Sequence, residues 1–185
     1  MRPVIVSKDQ REYLPVKDAD NGVTKLQPVP AGESVLGGLP QGVAFASADS
    51  VRVGDGKAVT MTPPTAGAKV TAWVAVTTKT VVAVWGDTVA IHDLKTGAIL
   101  DQTNEGAEPT GFDQGVVITN GKTVSGETFV NLCNGYAVVS GQIWCPSTSG
   151  VWTSGSARLP EKPEAAGDSW WADADGNVHR LVKGN

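Results

Sequence analysis

Residues 80–100 have the sequence Thr80-Val81-Val82-Ala83-Val84-Trp85-Gly86-Asp87-Thr88-Val89-Ala90-Ile91-His92-Asp93-Leu94-Lys95-Thr96-Gly97-Ala98-Ile99-Leu100, and this stretch decides the fold. Two apolar runs flank Gly86-Asp87, a dipeptide that favours a tight turn. The second run ends at Asp93-Leu94-Lys95-Thr96-Gly97, and a third, shorter apolar run follows. This order of runs and turns predicts three consecutive antiparallel strands.

The composition of the whole chain indicates strands rather than helices. Its 185 residues include 22 glycines and 11 prolines, and valine and threonine are abundant. This length suits one domain, since most domains have about 50–250 residues. We therefore expect a single all-β chain, with an N-terminal arm over residues 1–40 and a β-domain over residues 41–185. The arm should contribute one strand, Val4–Val6, that closes a sheet formed by later residues.

The pattern of residues 80–100 recurs along the chain. The positions that we take as equivalent are Val43, Val82, Val117, Ala137 and Trp171, with spacings of 39, 35, 20 and 34 residues. Three of these spacings suit a repeat of roughly 40 residues, and the short one leaves open whether the third and fourth instances share a unit. The sequence thus predicts a small or irregular β-propeller of four to five antiparallel units, with a β-sandwich as the alternative.

Residues 82–100 also resemble the repeat of quinoprotein-type (PQQ-like) β-propellers. In that family a buried strand, a Gly-Asp turn, a strand ending in an Asp-x-x-Thr-Gly turn and an outer strand succeed one another. About twenty residues match well, and the other units are degenerate. Some family members are quinone dehydrogenases, whereas others are cofactor-free scaffolds and ligand binders. The dehydrogenases of that family hold the quinone at the centre of a large ring. This chain is short for such a ring and has no convincing calcium and quinone pocket. The resemblance therefore implies fold without oxidation chemistry, and we expect no cofactor.

Cys133 and Cys145 flank a predicted hairpin that turns at Ser140-Gly141. Pairing centred on that turn places Cys145 opposite Tyr136, so a disulfide requires the chain to bulge or bend at Asn134-Gly135. A Cys133–Cys145 disulfide points to an oxidising compartment, and two buried free thiols are the alternative. The expected location is therefore extracytoplasmic, either secreted or anchored in the cell envelope, with any signal or anchor outside this sequence.

Oxygen-bearing side chains alternate at Asp173, Asp175 and Asn177, a pattern that can bind a hard cation such as calcium. The competing interpretation is an Asp-Gly hairpin turn, since no distal carboxylate completes a calcium site. His92 and His179 are the chain's two histidines, and His92 is expected to be a structural turn contact rather than a base. The sequence contains no nucleophile-elbow, zinc-protease or phosphate-loop motif.

The six tryptophans are the candidates for a binding surface, because an exposed tryptophan buries a large area on binding at small entropic cost. Three of them lie within apolar strands and are expected to pack in the core: Trp73, Trp85 and Trp144. Trp170 and Trp171 are consecutive, so in a strand they point to opposite faces and cannot both enter one core layer. The predicted binding residues are Trp152, beside a Ser/Thr/Gly-rich stretch, with Trp170 and Trp171.

Charge and motif content narrow the function. The net charge of −4 and the absence of a basic cluster exclude a nucleic-acid interface, and no apolar run is long enough for a transmembrane helix. The leading prediction is a non-catalytic ligand- or protein-binding or scaffold domain of a bacterial secreted or cell-envelope protein, whose partner is a protein or a carbohydrate. The alternative is a carbohydrate-active hydrolase or lyase with paired carboxylates in a central cleft, drawn from Asp49, Asp87, Asp113 and Asp168.

Overall fold

The computed structural model describes residues 5–6, 12–17, 24–104, 110–111, 117–139, 141–167 and 169–180. These residues form twenty-two strands and no helix, which confirms the predicted all-β class. The strands make six small antiparallel sheets, and within the described ranges none of the sheets closes on itself. No helix long and apolar enough to cross a membrane occurs in this part of the chain.

The described residues divide into two compact units, Met1–Pro109 with Gly126–Thr128, and Thr110–Ser125 with Phe129–Asn185. The first unit holds three sheets, each with its strands in chain order. Their strands are β1 Ile5–Val6, β2 Glu12–Lys17 and β3 Thr24–Pro28; β4 Ser34–Leu39, β5 Gly42–Ser47, β6 Ser50–Val53 and β7 Val59–Thr60; and β8 Ala72–Val76, β9 Thr80–Trp85, β10 Thr88–Asp93 and β11 Ile99–Thr103.

The remaining three sheets also keep their strands in chain order. Their strands are β12 Thr110–Gly111, β13 Val117–Thr119, β14 Lys122–Ser125 and β15 Thr128–Asn131; β16 Ala137–Val139, β17 Gln142–Pro146, β18 Trp152–Ser154 and β19 Ala157–Leu159; and β20 Ala165–Ala166, β21 Trp170–Ala172 and β22 Val178–Arg180. The described residues thus form six short meanders that follow one another along the sequence.

The number of repeats differs from the prediction of four to five, because each of the six meanders is a separate sheet. Val117 in β13 and Ala137 in β16 belong to different sheets, so the third and fourth instances of the pattern are separate repeats. Ala137 lies in the first strand of its sheet, whereas the other four matched positions lie in second strands. The second strand of that sheet is β17, so the short spacing arose from matching two different strands.

The N-terminal residues form a sheet of their own rather than an arm. β1 pairs with β2, with Ile5 opposite Tyr13, and β2 pairs in turn with β3. The strand predicted to close a later sheet therefore pairs with its neighbour in the chain, which costs less loop entropy than a distant pairing; its first residue, Val4, lies outside the described residues. The boundary predicted at residue 40 falls inside the second sheet, directly after β4.

Residues 80–100 fold as three strands, as predicted. β9 and β10 pair with Trp85 opposite Thr88. Gly86 opens the two-residue turn between them with a φ of 65°, the geometry of a type II′ turn with glycine first. All six residues of β9 are buried, and so are Val89–His92 of β10. Both faces of this sheet are therefore covered, which explains why its strands are continuously apolar instead of alternating.

The main core of the first unit lies between the sheet β4–β7 and the sheet β8–β11. Ala44 and Ala46 of β5 pack there against three residues of β9, namely Val81, Ala83 and Trp85. The edge strands β4 and β8 also approach each other closely. A Cβ placed on Gly37 would lie only 2.9 Å from Val76 Cγ1, so glycine at that position permits the approach.

The Asp93–Gly97 turn docks on the neighbouring sheet. Asp93 Oδ1 accepts hydrogen bonds from the backbone N–H groups of Lys95 and Thr96, at 3.0 and 2.7 Å, which builds the turn from its own side chain. Gly97 has a φ of 73°, and a Cβ on it would overlap the carbonyl oxygen of Thr60 at the end of β7. Backbone conformation and lack of space both require glycine there.

Replacing Gly97 should therefore destabilise the protein more than replacing a glycine that only has a positive φ. Gly86 is the matched control, because its φ is similar and an added Cβ would meet nothing within 4 Å. We expect Gly86→Ala to lower the free energy of unfolding by about 1–2 kcal/mol through backbone strain alone. Gly97→Ala should cost about 1–3 kcal/mol more, from the overlap with Thr60. Urea unfolding measures both, and equal losses would contradict the docking of this turn.

Candidate functional site

Two of the three predicted binding residues, Trp170 and Trp171, lie in the last sheet, β20–β22, and the predicted metal ligands lie in the turn between β21 and β22. The third predicted binding residue, Trp152, lies in β18 of the preceding sheet. In the register of the last sheet, Trp170 lies opposite Arg180, and Trp171 lies opposite His179. Residues that face each other across two strands share one face of the sheet, and successive residues alternate between faces. Trp170 and Arg180 therefore lie on one face, and Trp171 and His179 lie on the other.

Trp171 is a core residue. It is 5% exposed and packs in a cluster with Trp144, Leu159 and Ala166, and its indole stacks on the His179 ring with centroids 4.4 Å apart. Trp152 is half-buried and packs against the same cluster. The alternation of faces that separates Trp170 from Trp171 was predicted correctly, but Trp171 and Trp152 stabilise the core, and Trp170 is the indole that faces solvent.

Trp170 is 41% exposed and is held in place by the backbone. Gly167 N donates a hydrogen bond to the Trp170 carbonyl at 2.9 Å, and a Cβ on Gly167 would overlap the indole. The ring therefore lies against the bend before β21. Val178, on the same face, is 70% exposed, and Arg180 is exposed as well. We call these three residues, Trp170, Val178 and Arg180, the Trp170 surface.

The carboxylate of Asp173 holds together the turn between β21 and β22. Its Oδ1 accepts hydrogen bonds from the N–H groups of Asp175 and Asn177, and its Oδ2 accepts from the Asn177 side chain and from His179 Nε2, at 2.8 to 3.0 Å. These hydrogen bonds, that of His179 above all, lower the pKa of Asp173 from 3.8 to about 2. In the described ranges no three acidic, histidine or cysteine side chains are grouped to hold a metal. The geometry is that of an Asp-Gly turn, and calcium binding stays a prediction.

His92 is a structural residue. It is fully buried, accepts a hydrogen bond from Trp85 Nε1 at its Nε2 (3.0 Å), and places Nδ1 3.3 Å from the Gly97 carbonyl oxygen. Since Nε2 accepts, Nδ1 carries the proton and donates it to Gly97. Burial lowers the pKa of His92, so the ring is neutral near pH 7. As predicted, this histidine contacts a turn.

The four carboxylates considered for a hydrolase are only partly described. Asp49 lies in the β5–β6 turn and Asp87 in the β9–β10 turn, and both are exposed. Asp113 and Asp168 lie outside the described residues. The general acid of a glycosidase needs an environment that raises its pKa, such as an apolar pocket, and an exposed turn does not offer one.

Cys133 and Cys145 form a disulfide, with a Cα–Cα distance of 5.8 Å. β16 and β17 pair with Val139 opposite Gln142, so the hairpin reverses where the sequence predicts. The required bend at Asn134-Gly135 is a turn in which Gly135 has a φ of 74°. The bond therefore closes one hairpin within one sheet.

A cleft of about 360 Å³ in the first unit was not predicted. It opens between the start of β4, the β5–β6 turn and the start of β8. Among its lining residues are Glu33, Ser34, Ser47, Ala48, Ala72 and Trp73. No motif marks these residues, because the cleft forms where three distant segments of the chain meet.

No protein-family model matches the chain, and no curated protein matches its sequence. The two surfaces that stand out are the Trp170 surface and the cleft beside Trp73. Each lies within a single compact unit, so its geometry is defined by its own residues.

The buried neutral state of His92 predicts a pH dependence of stability. Its folded pKa lies below the ordinary value of 6.5, so below pH 6.5 the unfolded chain takes up a proton more readily than the folded chain. Stability should therefore fall as the pH drops from 7 to 5. His92→Gln keeps a neutral acceptor and donor and should remove part of that fall. Urea midpoints at pH 7 and pH 5 test this, and an unchanged slope in the variant would contradict it.

The hydrogen bonds to Asp173 predict how its titration responds to mutation. Their stabilising effect is present above pH 3.8 and is lost as the pH falls towards about 2. His179→Ala removes the largest cause and should move the carboxyl titration midpoint of Asp173 upward, towards 3.8. Asn177→Ala, as the comparison, should move it less. Carbon NMR of the Asp173 carboxyl measures each midpoint, and a larger effect of Asn177→Ala would reverse this ranking.

Proposed function

We propose that this chain is a non-catalytic binding or scaffold domain of a bacterial secreted or cell-envelope protein, built as a small β-propeller, and that a protein partner binds its Trp170 surface. The six consecutive meanders support the propeller, because such a fold repeats one antiparallel sheet along the chain. The core between the sheets β4–β7 and β8–β11 supports it further, since successive propeller blades stack face to face.

The observation that carries the binding role is the exposure of Trp170 on a supported sheet. Tryptophan and arginine dominate the binding energy of protein interfaces, and here Trp170 and Arg180 lie opposite each other with Val178 beside them. The reverse face of β21 is anchored by Trp171, and the Asp173 hydrogen bonds hold the turn. A surface that is already ordered loses little entropy on binding, which favours affinity.

The disulfide supports an extracytoplasmic location. Both cysteines of the chain are used in the Cys133–Cys145 bond, and structural disulfides persist in oxidising compartments. The net charge of −4 is consistent with a protein partner rather than a nucleic acid. The resemblance to PQQ-like repeats, some of which belong to cofactor-free binders, points in the same direction.

The test is site-specific photo-crosslinking in the bacterium that produces the protein. A photoreactive phenylalanine replaces Val178 in one variant, which leaves Trp170 and Arg180 in place, and Leu100 in the control, because Leu100 is also exposed, at 39%, but lies in the first unit. We expect a discrete protein adduct from position 178 and none from position 100. Absence of an adduct at position 178, or the same adduct from both positions, would overturn the proposed surface.

A further inference from the structure

We infer that the cleft beside Trp73 is a binding site for a neutral sugar. This inference rests on the proposed role as a binding domain, but it concerns a second surface, in the first unit, with a different class of ligand. It depends on four properties of the cleft, which are its walls, the strained turn at its mouth, its charge and its hydroxyl groups.

The walls of the cleft suit one small ligand. Its volume of about 360 Å³ falls within the range of roughly 300–1,000 Å³ found for small-molecule pockets. Small residues, including Ala48 and Ala72, form much of the wall and leave the space open, and Trp73 is the aromatic residue that lines it. Trp73 is half-buried because it also packs on the core between the two sheets, so its position is fixed. An indole suits the apolar C–H face of a sugar ring.

The turn at the mouth of the cleft has a strained backbone. Ala48 has a φ of 40°, in the left-handed region that glycine, asparagine and aspartate adopt more readily. Residues held in such conformations cluster at ligand sites, where the surrounding structure maintains them. Alanine at position 48 combines this conformation with a short side chain, which keeps the mouth of the cleft wide.

The charge of the cleft favours a neutral ligand. Glu33 is the ionisable residue among its lining residues, and Arg52 binds its carboxylate through two hydrogen bonds, Nε to Oε1 at 2.6 Å and Nη2 to Oε2 at 2.5 Å. The same guanidinium lies 4.2 Å above the Phe45 ring and donates to the Gly54 carbonyl, so it is held from several sides. Since the two charges cancel, neither a cation nor an anion gains a strong attraction.

Hydroxyl groups supply the polar contacts. Ser34, Ser47 and Thr71 line the cleft. Thr71 Oγ1 donates its proton to the Val84 carbonyl at 3.2 Å, so its oxygen lone pairs can accept from a ligand. The hydroxyl of Ser47, which lines the cleft, lies 3.1 Å from Ser50 Oγ and pairs with that hydroxyl. A ligand with one apolar face and a rim of hydroxyl groups matches this arrangement, and a neutral sugar has both.

The test is ligand-observed NMR, by saturation transfer, on the oxidised protein. The neutral probes are cellobiose, maltose and N,N′-diacetylchitobiose, and the charged comparisons are glucosamine and glucuronate. We expect saturable binding of at least one neutral disaccharide with a Kd of about 0.1–1 mM, and binding of both charged sugars at least about fivefold weaker. Lack of saturable binding by all three neutral probes up to about 10 mM would overturn the inference.

Two pairs of variants place the binding in the cleft. Ala72 is exposed and lines the cleft, so Ala72→Phe should fill it and weaken binding at least about tenfold. Ala58→Phe is the matched control, exposed and away from the lining residues, and should bind normally.

Ala48→Gly and Ala48→Asn both relieve the backbone strain, but only Asn narrows the mouth of the cleft. Ala48→Asn should therefore weaken binding of the disaccharide without lowering the unfolding midpoint, and Ala48→Gly should leave binding of the disaccharide unchanged.

Two outcomes separate this inference from the proposed function. If Ala72→Phe binds the disaccharide as well as the unmodified protein does, the sugar binds elsewhere and the inference is wrong. If no sugar binds but position 178 still gives its protein adduct, the inference fails and the proposed function stands. The separation is possible because Trp73 and Trp170 lie in different units and the two experiments have different readouts.

Discussion

The carbonyl oxygen of Gly97 is the point on which the first unit depends. It accepts one hydrogen bond from Thr62 N at 2.8 Å, beyond the end of β7, and a second from His92 Nδ1 within its own sheet. Because His92 in turn accepts from Trp85 Nε1, a buried polar chain runs from the core to the neighbouring sheet with every member satisfied. The core between the two sheets can form around a histidine only because that chain is complete.

The sequence predicted the local features of the fold well, because each depends on a few adjacent residues. Gly86-Asp87 and the bend at Asn134-Gly135 are examples, and both have glycines at positive φ. The number of sheets could not be predicted in the same way. β16 and β17 are both short and apolar, so period-two alternation does not show which of them is the second strand of its sheet. The N-terminal sheet was missed because its residues are largely polar and punctuated by prolines, so they lack the pattern of a buried strand.

The candidate sites show the same division between local and distant information. Alternation along β21 was enough to predict that Trp170 and Trp171 face opposite ways, but identifying the exposed one required the core around Trp144. The cleft beside Trp73 could not have been predicted at all. Its walls come from residues near positions 33, 47 and 72, and most of them are small residues without a motif, so only the packing of two sheets reveals the space.

The Cys133–Cys145 bond also determines how the chain carries mechanical load. If the protein is pulled through its backbone, as a protein tethered at a cell surface is, tension passes directly from Cys133 to Cys145 and bypasses the residues between them. The β16–β17 hairpin is therefore shielded from the force. The twelve residue steps enclosed by the bond would add about 35 Å to the extended chain, and this length remains stored until the bond is reduced. Reduction would thus change the protein's extensibility as well as its stability.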